Sequence, residues 1–326
     1  MAQAVVGPAT LAVRKAVVDA LADLPSDVAV LVAVSGGADS LALAAGAAIC
    51  GRPVAAAVVD HGLQAGSAQV AEAAAAACTR LGLSPVSVRR VGVGGAGGPE
   101  AAARTARYAA LREVATELGA AAILLAHTLD DQAETVLLRL ARGSGARSLS
   151  AMAPVDGDLR RPLLGLRRDL VRRACAETGL QPHEDPHNSD PRFARARLRQ
   201  HGLPAVVADL GDQVVLGLAR SAALLREDNA ALDAWAQEVP LADPVTADVT
   251  RLADLPTAVR MRVVRRLALA AGCPASSLSR EHLLAADALV TRWRGQGPVD
   301  LPGGVRAARE SGRLVLDRAP GRDSAR

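Results

Sequence analysis

Short apolar stretches alternate with longer helix-like stretches up to about residue 145. The short ones are unbroken and rich in Val, Ala and Leu, which is typical of strands buried on both faces of a parallel sheet. They lie at 28–34, 54–59, 85–91 and 120–126. Helical periodicity predicts helices at 9–24, 41–50, 67–81, 99–118 and 128–142. This alternation predicts an α/β fold, a doubly wound parallel sheet with helices on both faces.

The pattern changes after residue 145. Residues 161–164 form a short extended stretch, 167–178 a basic helix and 181–191 a polar loop broken by prolines. Helical patterns return at 204–237, 256–271 and 279–292, separated by a linker or small insertion at 240–254, and 301–304 with 314–316 suggests a small terminal β-unit. We therefore expect a larger domain at 1–208 and a smaller, mainly helical domain at 209–326.

Composition excludes several classes of function. Half of the 326 residues are apolar, but the aromatic residues are only Trp235, Trp293, Tyr108 and Phe193, so nucleic-acid binding through several stacked aromatics is not expected. Lys15 is the only lysine, and the net charge of +4 is carried by arginine, which suits bidentate phosphate contacts.

The cysteines and the chain's hydropathy indicate where the protein works. The cysteines are dispersed without a C-x-x-C pair, at positions 50, 78, 175 and 273, which favours neither a metal cluster nor a redox dithiol. This pattern suits a reducing cytosol. We find no signal-peptide pattern and no apolar run of membrane-spanning length, so we expect a cytoplasmic protein without membrane contact.

A glycine-rich loop follows the first predicted strand: Ser35, Gly36, Gly37, Ala38, Asp39 and Ser40. Glycines allow close approach to a ligand, and the following helix offers free N–H groups, so the loop suits a phosphate. It is not a Walker A loop, because no lysine lies near it. The alternative is a structural turn in which Ser40 is the N-cap. Beside a polyphosphate, Asp39 suits Mg²⁺ coordination, although it could instead complement the helix N-terminus.

Three acids open the helix after the fourth predicted strand: Asp130, Asp131 and Glu134. Asp131 and Glu134 are three residues apart and share a face, so both carboxylates aimed into the sheet's crevice would suit an ammonium group. Capping by Thr128 and the helix dipole is an equally weighted alternative. His127, at the same edge, is either structural or a ligand contact.

Two basic groups complete the candidate site. Arg104, Arg107 and Tyr108 lie one helical turn apart and form either a solvated face or a phosphate contact. Four arginines between residues 192 and 199 suit an RNA or triphosphate backbone, with a surface helix as the alternative.

The loop at 35–40 resembles the SGGxDS loop of the PP-loop ATP pyrophosphatases. Together with further motifs in the same order, it resembles the tRNA(Ile)-lysidine synthetase family. Those motifs are VDHGLQ (59–64), PEAAARTARYAAL (99–111), LLAHTLDDQAETVLLRLARGSG (124–145), RPLL (161–164) and EDPHNSDPRFARARLRQHGLP (184–204). The LPGG segment at 301–304 and the basic residues after it resemble that family's smaller C-terminal domain.

The resemblance implies a complete reaction. Such enzymes adenylate C2 of the wobble cytidine of a CAU-anticodon tRNA(Ile), and the ε-amine of free L-lysine then displaces AMP. It implies ATP on residues 35–40, Mg²⁺ held through Asp39, and lysine held by Asp131 and Glu134. Arg107 and Arg199 match arginines near the phosphates and the RNA, which makes Asp39, Arg107 and Arg199 the catalytic candidates.

The sequence departs from the family at two points. Ala196 stands where the family usually has Asn, and the chain matches a short form with one small C-terminal domain, which we expect to contact tRNA. A homodimer is a further expectation. The alternatives are another PP-loop enzyme, either a tRNA thiolase or an amide-forming synthetase, and a non-catalytic RNA-binding protein.

Overall fold

A computed structural model describes residues 6–62, 66–92, 99–184 and 190–318. Parts of two family motifs, at 63–64 and 185–189, lie outside these residues, as do the side chains of 99–101. The chain divides into two compact units, Met1–Leu225 and Arg226–Arg326. The domain limits expected from the sequence, 1–208 and 209–326, stay a prediction.

The first unit contains a six-stranded sheet in the order β3-β2-β1-β4-β6-β5. Its strands are β1 Val30–Val34, β2 Val54–Asp60, β3 Val86–Arg90, β4 Ala122–Leu124, β5 Val155–Asp156 and β6 Leu159–Arg160. Neighbouring strands are parallel except for the β5–β6 pair at one edge. Its helices are α1 Pro8–Ala20, α2 Ala38–Ala48, α3 Ser67–Arg80, α4 Pro99–Glu117, α5 Leu129–Leu140, α6 Ala146–Leu149, α7 Arg168–Glu177, α8 Ala194–Arg197 and α9 Leu203–Leu210; α10 spans Gln213–Glu238.

The central strands β1, β2 and β4 are buried on both faces, as their unbroken apolar sequences predict. Val30, Val32 and Val34 of β1 point to a core that includes buried residues of α1, α2, α3 and α7. Leu31, between them, points to the opposite core with residues of α4. Alternation of side chains along one strand therefore supplies two cores. This confirms the doubly wound α/β architecture.

Helices α1 and α2 approach each other closely at Gly46. A Cβ atom at Gly46 would lie 2.5 Å from Cγ1 of Val13 and 2.9 Å from the backbone nitrogen of Arg14. Only glycine therefore leaves enough room where α1 and α2 cross.

The start of α1 is held by the carboxylate of Glu177, which accepts hydrogen bonds from the N–H groups of Ala9 and Thr10.

Strand order places the candidate site. The chain moves outward from β1 through β2 to β3 and then returns to the other side of β1 with β4. The direction of winding reverses between β1 and β4, and ligands of such sheets bind beyond the carboxyl ends of the strands at this switch point. The loop after Val34 and the helix after Leu124 are therefore neighbours across the crevice.

The second unit contains a four-stranded antiparallel sheet in the order β7-β10-β9-β8. Its elements are β7 Thr246–Asp248, α11 Val249–Asp254, α12 Thr257–Ala270, α13 Arg280–Thr291, β8 Val299–Leu301, β9 Val305–Glu310 and β10 Arg313–Arg318. The unit combines helices with an antiparallel sheet, and its helices contain more residues than its strands, which agrees with the smaller, mainly helical domain expected from the sequence. Inside it, Arg260 Nε lies 2.6 Å from Asp287 Oδ1, and both residues are buried.

One local expectation was wrong. The RPLL segment is not extended, because Pro162–Gly165 forms a 3₁₀ turn after the short strand β6, with Pro162 fixing the first position. Residues 240–254, expected to be a linker or a small insertion, supply β7 and α11.

Among the described residues, no single helix has the length and apolarity needed to cross a membrane. The bent pair Ala194–Leu210 and Gln213–Glu238 meets that criterion together, on length and composition only.

Candidate active site

The glycine-rich loop joins β1 to α2. Gly36 has φ +82°, a conformation that L side chains rarely adopt, and its carbonyl accepts a hydrogen bond of 2.9 Å from the N–H of His183. Ser40 Oγ donates to the carbonyl of Gly37 at 2.9 Å and lies 3.2 Å from Ser35 N. The N-cap of α2 is Gly37, which has no capping side chain, so Ser40 as N-cap was wrong. No side chain in the described part of the chain caps the first N–H groups of α2.

Asp39 lies in the first turn of α2 and faces other charged groups. Its Oδ1 is buried without a hydrogen-bond partner among the described residues, and its Oδ2 lies 3.9 Å from Arg168 Nε. Burial raises the pKa of Asp39 to about 6, and the nearby Asp131 carboxylate adds to this, while Arg168 opposes it. Ionisation of the Asp39 carboxyl is therefore less favourable in the folded chain than in water.

The N-terminus of α5 uses Asp131 twice. Thr128 and Asp131 form a capping box, in which Asp131 Oδ2 accepts from the N–H and hydroxyl of Thr128, both at 2.8 Å. The other oxygen of Asp131 accepts hydrogen bonds from arginines. Capping and cation binding, which the sequence left open, therefore occur in the same residue.

Three guanidinium groups converge on Asp131 and Glu134, and we call these five residues the arginine cluster. Arg168, Arg195 and Arg199 each contact both carboxylates, through seven hydrogen bonds of 2.8–3.1 Å in all. Hydrogen bonds between ionised partners are among the strongest in proteins. The acidic pair is thus a cation site, and its cations here are arginines of the same chain.

The electrostatics agree with this geometry. Burial alone would raise the pKa of Asp131, but Arg168, Arg195 and the N–H of Thr128 outweigh it and lower the pKa to about 2. The pKa of Glu134 is also lowered, because a hydrogen bond from Arg199 and the charge of Arg168 exceed the opposing effect of burial. Both carboxylates are ionised at neutral pH.

Arg168 and Arg195 were not predicted as partners of these acids. Arg168 begins α7, and its backbone N–H donates to Asp130 Oδ2 at 2.7 Å, which fixes its position at the crevice. Arg195 was assigned only to a basic segment. The single lysine, Lys15, favours arginine as the partner type once the two carboxylates are known to be buried, but it does not indicate which arginines.

Arg107 lies in a different polar group, with Tyr108, His61 and His127. Arg107 Nε, Tyr108 Oη and the Nδ1 atoms of both histidines are buried without hydrogen-bond partners in the described part of the chain. Burial lowers the pKa of His127 to about 4, with help from Arg161 and Arg107, so its ring is neutral. Of the site residues predicted from the sequence, Arg199 contacts the acidic pair and Asp39 lies beside Arg168 of the same cluster, whereas Arg107 lies in this other polar group.

The residues present suit a phosphate-bound Mg²⁺ better than a metal site made by the protein alone. The described residues contain no group of three or more His, Cys, Asp or Glu side chains arranged to hold a metal. Mg²⁺ typically uses one or two carboxylates together with substrate phosphates, and the unpartnered Oδ1 of Asp39 fits that role.

Family comparisons decide between the sequence alternatives. A PP-loop domain model matches residues 10–206, and a TilS substrate binding domain model matches residues 248–315. The tRNA(Ile)-lysidine synthase of Thermobifida fusca is 52% identical over 316 residues, covering 95% of this chain and 98% of the relative. The enzyme of the same name from Streptomyces coelicolor is 52% identical and covers 90% of this chain and 86% of the relative.

The chain belongs to the tRNA(Ile)-lysidine synthase family. This confirms the family predicted from the motifs and makes the chain an ATP-using ligase of the PP-loop group. It does not favour the thiolase or amide-forming alternatives. A solved structure, the U34-tRNA thiolase NcsA from Methanococcus maripaludis, matches with a TM-score of 0.53 at 20% identity, covering 66% of this chain and 78% of that one. At that identity the likeness supports the PP-loop fold alone.

Proposed function

We propose that this lysidine synthase family member joins free L-lysine to C2 of the wobble cytidine of a CAU-anticodon tRNA(Ile). ATP first adenylates the cytidine and releases pyrophosphate. The ε-amine of lysine then attacks C2, AMP leaves, and the amine loses a proton. The observation that carries this proposal is the pairing of a phosphate-type loop after β1 with a buried cation site after β4 at one switch point.

The loop supplies the nucleotide half of the reaction. In this proposal the triphosphate lies on residues 35–40, where the uncapped N–H groups of α2 and the positive end of the helix favour phosphate oxygens. Bound Mg²⁺ would be held through Asp39, and it would neutralise charge on the leaving pyrophosphate. Ionised Asp39 also gains from such a cation, because its burial is otherwise unfavourable.

The acidic pair supplies the lysine half. Asp131 and Glu134 bind positive charge, as their contacts with three arginines demonstrate. Free lysine is protonated at neutral pH, with an amine pKa of about 10.4, and must become neutral to attack. Either a nearby carboxylate or the departing phosphate must therefore accept the proton of the attacking amine.

The remaining predicted residues fit contacts to RNA and phosphate. Arg107 Nε has no hydrogen-bond partner among the described residues and lies near two histidines whose pKa values are lowered, which leaves donors and acceptors for a polar ligand. The Arg199 guanidinium can stabilise the negative charge that develops on the phosphates during the reaction. The match of residues 248–315 to a substrate binding domain supports tRNA contact by the second unit. A homodimer and a cytoplasmic location stay predictions.

The test supplies ATP, labelled lysine and an unmodified CAU-anticodon tRNA to the purified chain. We expect label in the RNA together with equal amounts of AMP and pyrophosphate. Sulfide or ammonia should not replace lysine. Turnover with either of them and no label in the RNA would favour the thiolase or amide-forming alternative.

A variant separates the two halves of the site. Glu134→Gln keeps the shape of the side chain and removes its charge. We expect the lysine concentration for half-maximal rate to rise about tenfold, because one charged hydrogen bond is lost. The ATP concentration for half-maximal rate should rise less. Asp19→Asn, an exposed change on α1, is the control. Equal effects on both substrates would remove Glu134 from the lysine site.

A further inference from the structure

The arginine cluster leaves lysine no unoccupied carboxylate oxygen. Asp131 Oδ1 accepts from all three arginines, while its Oδ2 is used in the capping box. Glu134 Oε1 accepts from Arg168 and Arg199, and Oε2 accepts from Arg195 and Arg199. An incoming ammonium can bind these carboxylates only if an arginine withdraws.

The charges in the arginine cluster also indicate that an ammonium must replace an arginine. Three guanidinium groups already face two ionised carboxylates in the cluster. Adding an ammonium would place four positive charges against three negative ones, the acidic pair and the nearby Asp39, in a largely buried site where charges interact strongly. Replacement of one cation by another keeps the balance, whereas addition does not.

The three arginines are not equally held. Arg168 is 13% exposed and is anchored through its backbone to Asp130. Arg199 is 26% exposed and makes three hydrogen bonds to the pair. Arg195 is 44% exposed and makes two, from the four-residue helix α8. Withdrawal of Arg195 therefore costs the least interaction energy of the three, and its guanidinium is the most readily hydrated.

We propose that the Arg195 guanidinium occupies the place of lysine's ammonium in the unliganded enzyme, and that lysine binds by displacing it. This rests on the function proposed above. The withdrawn guanidinium is free to pair with an anion, and the reaction supplies two of them, the triphosphate of ATP and the RNA backbone. Arg195 thus makes lysine binding depend on the other substrates, which protects the site from occupation by other free amines.

The test measures lysine binding by calorimetry to the nucleotide-free full chain. Arg195→Gln removes the competing cation, so lysine should bind about tenfold tighter than to the wild type, the effect of one net charged hydrogen bond. Arg197→Gln is the matched control, because Arg197 lies on the same helix but donates to the carbonyls of Pro191 and Arg192. Its lysine affinity should equal that of the wild type.

A second variant keeps the proposal testable if Arg195→Gln does not fold. Arg195→Lys retains the charge but loses the planar pair of donors, so lysine should bind with intermediate affinity. A non-hydrolysable ATP analogue should narrow the difference between wild type and either variant. Unchanged or weaker lysine binding in the folded variants would overturn the displacement. Absence of binding to every form, with nucleotide and RNA present, would instead refute the proposed function and this proposal with it.

Discussion

Asp39→Asn is expected to stabilise the unliganded chain while removing its activity. The carboxyl lies at the switch point, with one oxygen buried and unpartnered in the described structure. Burial raises its pKa from 3.8 to about 6, even though Arg168 lies close. A raised acid pKa means that the folded chain prefers the protonated form, so ionisation at neutral pH weakens folding.

The magnitude follows from the two pKa values. A difference of about 2 pKa units corresponds to about 3 kcal/mol, since one unit is 1.36 kcal/mol. Stability contributed by this group is fully present below about pH 4 and is lost as the pH rises through about 6. Asparagine resembles the protonated acid, so the variant's advantage should grow from about 1.5 kcal/mol at pH 5 to about 3 kcal/mol at pH 8.

Urea unfolding of both proteins from pH 5 to pH 8, without nucleotide, measures this difference. Other titrating groups cancel in the comparison because both chains contain them. Asp19→Asn, at an exposed i,i+4 pair with Lys15, should change stability by less than about 0.5 kcal/mol at every pH. A variant that is less stable than the wild type at pH 8, or a difference that does not grow with pH, would refute the reasoning.

Three further changes test the fold and the loop. Gly46→Ala places a methyl group 2.5 Å from Val13 Cγ1 and should lower the free energy of unfolding by about 1–3 kcal/mol in urea. Asp287→Ala leaves the buried Arg260 charge unpaired and should cost about 3–5 kcal/mol, seen as lost hydrogen-exchange protection in α12 and α13. Gly36→Ala strains a residue at φ +82° by about 1–2 kcal/mol and should lower pyrophosphate release about tenfold, with the protein still folded.

The sequence predicted well what local pattern determines. Unbroken apolar runs identified the strands β1, β2 and β4, and glycines marked the phosphate-type loop, because burial on both faces and positive φ each restrict residue type. It failed at Pro162, where a proline that suits extended backbone also suits the first position of a 3₁₀ turn. Either conformation satisfies the local constraint, and tertiary contacts choose between them.

The partners of the acidic pair could not be read from the sequence. Arg168 and Arg195 are separated from Glu134 by 34 and 61 residues, and many other arginines were equally available. Helical periodicity places Asp131 and Glu134 on one face but says nothing about which distant cations meet them. The strand order that joins these segments depends on the winding of the whole sheet, which no local signal encodes.

The charge balance of the site links its two small substrates. Asp39, Asp131 and Glu134 face Arg168, Arg195 and Arg199, so the two signs are equal when Asp39 is ionised. A triphosphate alone adds negative charge beside Asp39, and an ammonium alone adds positive charge beside three arginines. When both are bound, an arginine released by lysine can face the phosphates, which offsets part of the charge that each substrate adds. Coupling of this kind is reciprocal by thermodynamic necessity, so nucleotide must strengthen lysine binding by the same factor as lysine strengthens nucleotide binding.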